Sequence, residues 1–234
     1  MKNGKFYGIG VGPGEPGLLT LKAVDAIRCC DVIAVPEPDS SERTAIIVVE
    51  EFLRGKQLLE CRFSMSRDEQ KRIEQRKIVA NNIASLLETG KSVGYITLGD
   101  PSLYSTYSYI RDIICRLGYD TMTIPGITSL SAAAAMLEIP LCQGNQSLHV
   151  LPGTDPESIE KYLDLPGVKA VMKSGGNIER ILDMLRRRGL SQQTRIVSRC
   201  SMEGELVYES IDMFDKFREE TSPGYFSIIL ILEK

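Results

Sequence analysis

Three turns rich in glycine and proline constrain the fold of this chain, because each directly follows a predicted β-strand. They occupy residues 8–17, 99–101 and 125–126. The strands are short and apolar, and between them lie longer segments with apolar residues at helical spacing. Strands that alternate with helices in this way predict a mostly parallel sheet covered by helices. Ligands of such folds bind at the carboxyl ends of the strands, so the turns mark a candidate site.

The second half of the sequence has a different pattern. A helix of small residues is predicted over 129–137. Strand-like segments follow with fewer helices between them, at 148–151, 169–172, 194–199, 205–208 and 226–232. More strands and fewer helices predict a second α/β domain with a mixed sheet. With the boundary placed near Pro125, the domains are expected at 1–125 and 126–234.

Composition excludes several classes of function. The formal net charge of −3 excludes a globally basic nucleic-acid-binding protein. The apolar runs are far shorter than the roughly 20 residues that span a bilayer, so no membrane association is expected. No apolar signal segment precedes the first glycines, so we expect a cytoplasmic location. A single histidine, His149, excludes a multi-histidine metal site, and the six cysteines form no CxxC pair, so no protein-bound metal is expected.

The first turn, GIGVGPGEPG at 8–17, has more than one interpretation when taken alone. Residues 12–17 match the GxGxxG fingerprint of dinucleotide-binding proteins, and Glu37 stands 20 residues after Gly17. Against this interpretation, Pro13 and Pro16 remove two backbone N–H donors from a loop that would cradle a pyrophosphate.

Two other interpretations of the same turn remain. Residues 8–12 match the GxGxG loop of Rossmann-like methyltransferases, whose ligand has no phosphate to cradle. A tight strand-to-helix turn without any ligand also requires glycine conformations. One glycine motif therefore leaves the function undecided.

The three turns together resemble the tetrapyrrole methyltransferase family. GIGVGPGEPGLLTLKA (8–23) is followed by GDPSLYSTY (99–107) and PGITSLSAAAA (125–135). The family's pattern is a strand followed by GxGPGxxxLLTxxA, a later GDP turn, and PGxS or PGxT before a small-residue helix. The match keeps the order of the motifs and spans most of the chain. GDPSLYSTY, MKSG (172–175) and YFSIILI (225–231) resemble the carbon-20 branch of that family.

This resemblance implies an S-adenosylmethionine-dependent C-methyltransferase of cobalamin biosynthesis. The expected reaction methylates the carbon-20 meso position of precorrin-2 or cobalt-factor II and yields S-adenosylhomocysteine. Any cobalt would be carried by the substrate. The resemblance further implies a homodimer of two-domain α/β subunits, with the cofactor in the interdomain cleft. By motif position, the cofactor would contact Val11, Gly12, Pro13, Gly99, Asp100, Ser102, Leu103, Thr128, Ser129, Met172 and Lys173.

Candidate substrate residues follow from the same resemblance and from the acetate and propionate groups of a tetrapyrrole. Arg199 and Lys173 end predicted strands and are suited to bind carboxylates. Pro13 and Tyr104 are expected beside the substrate. The catalytic residue is not identified, and Tyr104 and Tyr225 are the candidates.

For some of these residues the sequence allows a second role, and for the chain it allows other functions. Asp100 would accept hydrogen bonds from the cofactor or, alternatively, close an Asx-turn on local backbone N–H groups. Three alternatives to the expected activity remain at this point. They are another precorrin or uroporphyrinogen methyltransferase, a nicotinamide-dependent oxidoreductase that uses the GxGxxG-like loop and Glu37, and a binding module without turnover.

Overall fold

The computed structural model describes residues 4–36, 43–63, 68–217 and 226–233. Its contacts divide the chain into two units, Met1–Thr128 and Ser129–Lys234. Each unit is built on its own five-stranded sheet.

A parallel sheet forms the centre of the first unit. Its strands are β1 (Phe6–Gly10), β2 (Val32–Pro36), β3 (Gln57–Cys61), β4 (Val93–Thr97) and β5 (Thr121–Ile124). The order across the sheet is β3-β2-β4-β1-β5, and every neighbouring pair is parallel. All carboxyl ends therefore lie at one edge, and the turns that follow β1, β4 and β5 leave from adjacent strands.

Helices cover both faces of this sheet. They are α1 (Leu21–Cys29), α2 (Arg43–Val49), α3 (Glu69–Glu88) and α4 (Tyr107–Arg116). Successive strand residues point to opposite faces, so Val32 and Ala34 pack in one core with α3 and α4. Ile33 and Val35 pack in the other core with α1 and α2. The predicted parallel α/β arrangement is confirmed.

The second unit has a mixed sheet, as predicted. Its strands are β6 (Leu148–Pro152), β7 (Val168–Met172), β8 (Thr194–Ser198), β9 (Leu206–Tyr208) and β10 (Ser227–Ile231), in the order β6-β7-β10-β8-β9. Strands β6 and β7 are parallel, whereas β10 is antiparallel to both β7 and β8. The carboxyl ends of β6, β7 and β8 consequently share one edge with the amino end of β10.

The helices of this unit are α5 (Ser129–Met136), α6 (Pro156–Glu160), α7 (Ile178–Arg187) and α8 (Ile211–Phe217). The inward residues of α7 and α8, among them Ile181, Leu185 and Phe214, pack with strand residues in a single core. Across the residues that the structure describes, no helix combines the length and apolar character needed to cross a membrane.

Three elements differ from the sequence expectation. Strand β3 and helix α8 were not predicted. The sequence predicts a helix over 104–117 with Tyr104 and Tyr107 on one face. Helix α4 instead begins at Tyr107, because residues 101–106 form an irregular turn. This turn leaves Tyr104 outside the helix.

Candidate functional site

The first and second turns are joined by backbone hydrogen bonds beyond the ends of β1 and β4. The amide of Gly99 donates to the carbonyl oxygen of Gly12 at 2.7 Å, and the amide of Gly12 donates to that of Gly99 at 3.3 Å. Both glycines have a left-handed backbone, with φ of +77° at Gly12 and +73° at Gly99. That conformation is strained for residues with a side chain, which explains why glycine stands at both positions of the bridge.

The third turn packs against the other two without space for a side chain. A Cβ atom on Gly126 would lie 2.2 Å from the Gly99 carbonyl oxygen and 2.8 Å from the carbonyl carbon of Gly10. A Cβ atom on Gly10 would lie 2.6 Å from the Gly126 amide nitrogen. These neighbours are backbone atoms, which cannot move aside as a flexible side chain would. The three turns thus converge at one edge of the sheet.

The carboxylate of Asp100 connects the second turn to the third. Its Oδ1 accepts hydrogen bonds from the amide of Ser102 at 2.8 Å and from the Ser102 hydroxyl at 2.5 Å. Its Oδ2 accepts from the amide of Gly126 at 2.9 Å. The Asx-turn considered as an alternative is therefore present. The bond to Gly126, 26 residues away in the chain, goes beyond that expectation.

The tyrosines after the second turn have different environments. Tyr107 is 2% exposed, and its hydroxyl lies 3.1 Å from that of Thr123, so it belongs to the core. Tyr104 is 38% exposed and has a left-handed backbone with φ of +51°. Partial burial nevertheless raises the pKa of Tyr104 above its ordinary value of 10.0. The phenol is consequently neutral at physiological pH and can donate a hydrogen bond.

In the second unit, the segment after β7 is fixed by close backbone packing. Lys173 follows Met172 with a left-handed φ of +55°. A Cβ atom on Gly153, at the end of β6, would lie 2.5 Å from the Cα atom of Ser174. The side-chain amide of Asn177 donates to the carbonyl oxygen of Gly153 at 3.0 Å. The segment that follows Lys173 is thus held against the end of β6.

Arg199 follows β8 in the same kind of backbone conformation, with φ of +54°. Its guanidinium lies over Gly204, where a Cβ atom would come within 3.5 Å of one terminal nitrogen. Within the described ranges Arg199 takes part in no ion pair, whereas Arg186 and Arg188 at the end of α7 are paired with aspartates. Arg199 thus presents an exposed guanidinium at the end of β8.

Lys173 and Arg199 stand at the same edge of the second sheet. One strand, β10, separates β7 from β8, so the backbones of β7 and β8 are roughly 10 Å apart. The hydroxyls of Ser198, at the end of β8, and Ser227, at the start of β10, lie 3.3 Å from each other. Tyr225 would precede this end of β10, but it lies outside the described residues.

A comparison with known families finds a match over most of the chain. The family model for tetrapyrrole (corrin/porphyrin) methylases matches residues 5–211. The chain is a member of the tetrapyrrole methylase family. The resemblance of the three turns is thereby confirmed for most of the sequence.

Among its relatives are proteins of similar length. The chain is 32% identical to a probable cobalt-precorrin-2 C(20)-methyltransferase of Methanocaldococcus jannaschii, over 97% of the chain and 95% of the relative. It is 31% identical to the cobalt-precorrin-2 C(20)-methyltransferase of Salmonella typhimurium, over 98% of the chain and 96% of the relative.

Solved structures agree on the fold. A cobalt precorrin-4 methyltransferase superposes with a TM-score of 0.75 at 20% identity, covering 97% of this chain and 93% of the other. The uroporphyrin-III C-methyltransferase of Thermus thermophilus in complex with S-adenosylhomocysteine gives a TM-score of 0.69 at 20% identity, covering 97% and 96%.

The nicotinamide interpretation does not fit this tetrapyrrole methylase. In a dinucleotide-binding unit the third glycine opens the helix that receives the pyrophosphate, and β2 lies next to β1. Here α1 begins at Leu21, where the Thr20 hydroxyl accepts from the amide of Ala23 at 3.1 Å, and β4 separates β2 from β1. Glu37 lies outside the described residues.

Three glycines in the turns after β4 and β7 leave open space beside their backbone, one in the first unit and two in the second. A Cβ atom on Gly99 would meet no atom within 4 Å, so free space adjoins the bridge between the first two turns. The same holds for Gly175 and Gly176 after Lys173. A nucleoside with an amino-acid tail, as in S-adenosylmethionine, is compatible with such accessible backbone. The described residues contain no group of three or more His, Cys, Asp or Glu side chains arranged for a metal ion.

Sequence reasoning placed most of the converging residues but missed some. In the first unit the structure joins Gly12, Gly99, Asp100 and Ser102 by hydrogen bonds within and between the turns. Val11, Pro13, Leu103, Tyr104 and Thr128 lie in or next to these turns along the chain. Ser129 begins α5, and Met172, Lys173 and Arg199 stand at the edge of the second sheet. Gly10, Gly126 and Gly153 were not singled out as close contacts. Their signal was a glycine at the end of a strand, which marks close backbone approach.

Proposed function

We propose that this chain is an S-adenosylmethionine-dependent C-methyltransferase of cobalamin biosynthesis that methylates the carbon-20 meso position of precorrin-2 or cobalt-factor II. The observation that carries the proposal is the identity of 31–32% to relatives named for this activity, over nearly their whole length. The three motif turns and the two cationic strand ends are consistent with it.

Cofactor contacts are assigned to the turns. In the first unit they involve Val11, Gly12, Pro13, Gly99, the backbone of Asp100, Ser102, Leu103 and Thr128, and in the second Ser129, Met172 and Lys173. The bridge between Gly12 and Gly99 supports this assignment, because it fixes two of the turns before any ligand arrives. A site built in advance loses less conformational entropy on binding.

S-adenosylmethionine, when bound, supplies an electrophilic methyl group on a sulfonium. Transfer requires the accepting carbon, the methyl carbon and the sulfur to lie in line, so positioning by the protein contributes much of the acceleration. The converging turns serve this purpose because their backbones pack closely: a Cβ atom on Gly10 or Gly126 would lie within 3 Å of a neighbouring backbone atom. No covalent intermediate with the protein is required.

The substrate is oriented through its carboxylates. Arg199 offers a planar fork that binds a carboxylate through two parallel hydrogen bonds, and Lys173 offers a point charge at the end of a strand whose backbone is about 10 Å from that of β8. Two such cations can fix the direction of a flat ring that carries acetates and propionates. Pro13 and Tyr104 are assigned to the substrate side of the first unit.

Tyr104 is assigned a hydrogen-bonding role and not that of a base. A base must accept a proton at neutral pH, and the raised pKa of this phenol keeps it protonated. The proton that leaves the methylated carbon therefore passes to water or to another group, with Tyr225 remaining a candidate from the sequence. Homodimerisation and a cytoplasmic location are also part of the proposal, from the family resemblance.

Methyl transfer to a panel of tetrapyrroles tests the proposed function. Purified protein is incubated with methyl-labelled S-adenosylmethionine and, separately, with uroporphyrinogen III, precorrin-2, cobalt-factor II and cobalt-precorrin-4. Label is expected in the product of precorrin-2 or cobalt-factor II only. Transfer to uroporphyrinogen III or to cobalt-precorrin-4 instead would assign the chain to another branch of the family.

A further inference from the structure

The hydrogen bonds of Asp100 leave this side chain little capacity for a ligand. An ionised carboxylate has roughly four acceptor positions. Three are occupied, by the amide and hydroxyl of Ser102 and by the amide of Gly126. The donors come from two different turns. The carboxylate therefore serves mainly to hold these turns together.

The surroundings explain why the connection between the turns depends on this carboxylate. The first and second turns are joined by two backbone hydrogen bonds between Gly12 and Gly99. The third turn approaches Gly99 and Gly10 closely, and its amide at Gly126 is paired with the Asp100 carboxylate. Without that carboxylate the half-buried Gly126 amide would lose its acceptor, and the second and third turns would lose this hydrogen bond between them.

We infer that Asp100 is a positioning residue, whose carboxylate raises cofactor affinity by holding the second and third turns in register and not by contacting the cofactor. This inference rests on the proposed function for its ligand. If removing the carboxylate leaves the turns in register in only about one molecule in ten, the apparent dissociation constant rises about tenfold.

Hydrogen exchange tests the connection without any ligand. The variant Asp100→Asn keeps the size of the side chain but replaces one acceptor oxygen by an NH₂ group. We expect the amide of Gly126 to exchange at least about tenfold faster in this variant, because its charge-assisted hydrogen bond is lost or weakened. Asp31→Asn is the matched control, because Asp31 accepts from the amide of Ser92 at 2.8 Å at the opposite edge of the same sheet. Gly126 exchange should be unchanged there.

Binding of cofactor analogues separates positioning from direct contact. Dissociation constants of S-adenosylhomocysteine and of its 2′-deoxy and 3′-deoxy analogues are measured by calorimetry for the wild type, Asp100→Asn and Asp31→Asn. Positioning predicts the same fold-loss in Asp100→Asn for all three ligands, and no loss in Asp31→Asn. A direct bond to a ribose hydroxyl predicts that the loss disappears for the analogue that lacks that hydroxyl, which would overturn the inference.

The two proposals fail in different ways. Unchanged Gly126 exchange in Asp100→Asn, with intact cofactor binding by the wild type, would overturn the positioning role alone. Failure of the wild type to bind S-adenosylhomocysteine or S-adenosylmethionine would overturn the proposed function, and with it any effect of Asp100 on cofactor affinity.

Discussion

Replacement of Gly126 by alanine should disrupt the convergence of the three turns more than any other single methyl group added at this edge. The new Cβ atom would lie 2.2 Å from the carbonyl oxygen of Gly99 and within 2.9 Å of two backbone atoms of Gly10. The third turn must move away by about 1 Å to reach ordinary contact distances. The strain comes from contact alone, since Gly126 does not have a positive φ.

Two opposing effects set the size of the stability change. Overpacking against rigid neighbours typically costs about 1–3 kcal/mol. Alanine also restricts the unfolded chain more than glycine does, which favours the folded state by about 0.4–1 kcal/mol. The net expectation is a loss of about 1–2 kcal/mol in the free energy of unfolding. A displacement of about 1 Å at a binding site lowers affinity or rate by as much as about 100-fold, so ligand binding should suffer more than folding.

The assay combines urea unfolding with calorimetric titration of S-adenosylhomocysteine. Gly17→Ala is the control in the first turn, because its Cβ atom would meet only the flexible side chain of Glu15, at 3.0 Å. We expect the dissociation constant of S-adenosylhomocysteine to be at least tenfold larger for Gly126→Ala and nearly unchanged for Gly17→Ala. Wild-type affinity in Gly126→Ala would refute the argument that close packing of the turns builds the cofactor site.

Three further predictions concern single side chains. Tyr104→Phe should leave the shape of the pH profile of kcat/KM unchanged up to about pH 9, because the pKa of Tyr104 is raised above 10.0 and the wild-type phenol is protonated throughout; loss of an alkaline-rising limb in the variant would contradict this. Arg199→Lys should raise the KM for the tetrapyrrole about tenfold and leave cofactor affinity intact, since the carboxylate fork is lost; equal effects on both ligands would argue against a substrate contact. Burial raises the pKa of Cys30 from 9.0 to about 12, so between these values the unfolded state releases a proton that the folded state retains, and stability should fall by about 1.4 kcal/mol per pH unit. Urea unfolding of Cys30→Ala should lack that part of the alkaline slope, and an identical slope in wild type and variant would disprove the assignment.

The architecture was predictable where apolar periodicity is strong. The central strands are continuous apolar runs between helices of clear spacing, so the parallel sheet and its turns followed from the sequence. Strand β3 was missed because it is an outermost strand of its sheet, where Leu58 and Glu60 are exposed and no apolar run forms. Helix α8 was missed because its seven residues are too few for the periodicity to stand out.

The site was predictable in its motifs but not in its contacts. The bond from the Gly126 amide to Asp100 joins residues 26 positions apart, and no local pattern encodes such a pairing. The left-handed backbone of Lys173 and Arg199 has no sequence signal either, because it is imposed by packing and hydrogen bonding around non-glycine residues. Helical spacing grouped Tyr104 with Tyr107, whereas the turn before α4 separates them.

The position of the transferred methyl group tests the proposed function most directly. The product formed from precorrin-2 or cobalt-factor II with ¹³C-methyl-labelled S-adenosylmethionine is isolated and its carbon connectivity determined by NMR. The account predicts a single labelled methyl group bonded to carbon 20. A labelled methyl group on any other ring carbon, or no label in either product, would contradict it.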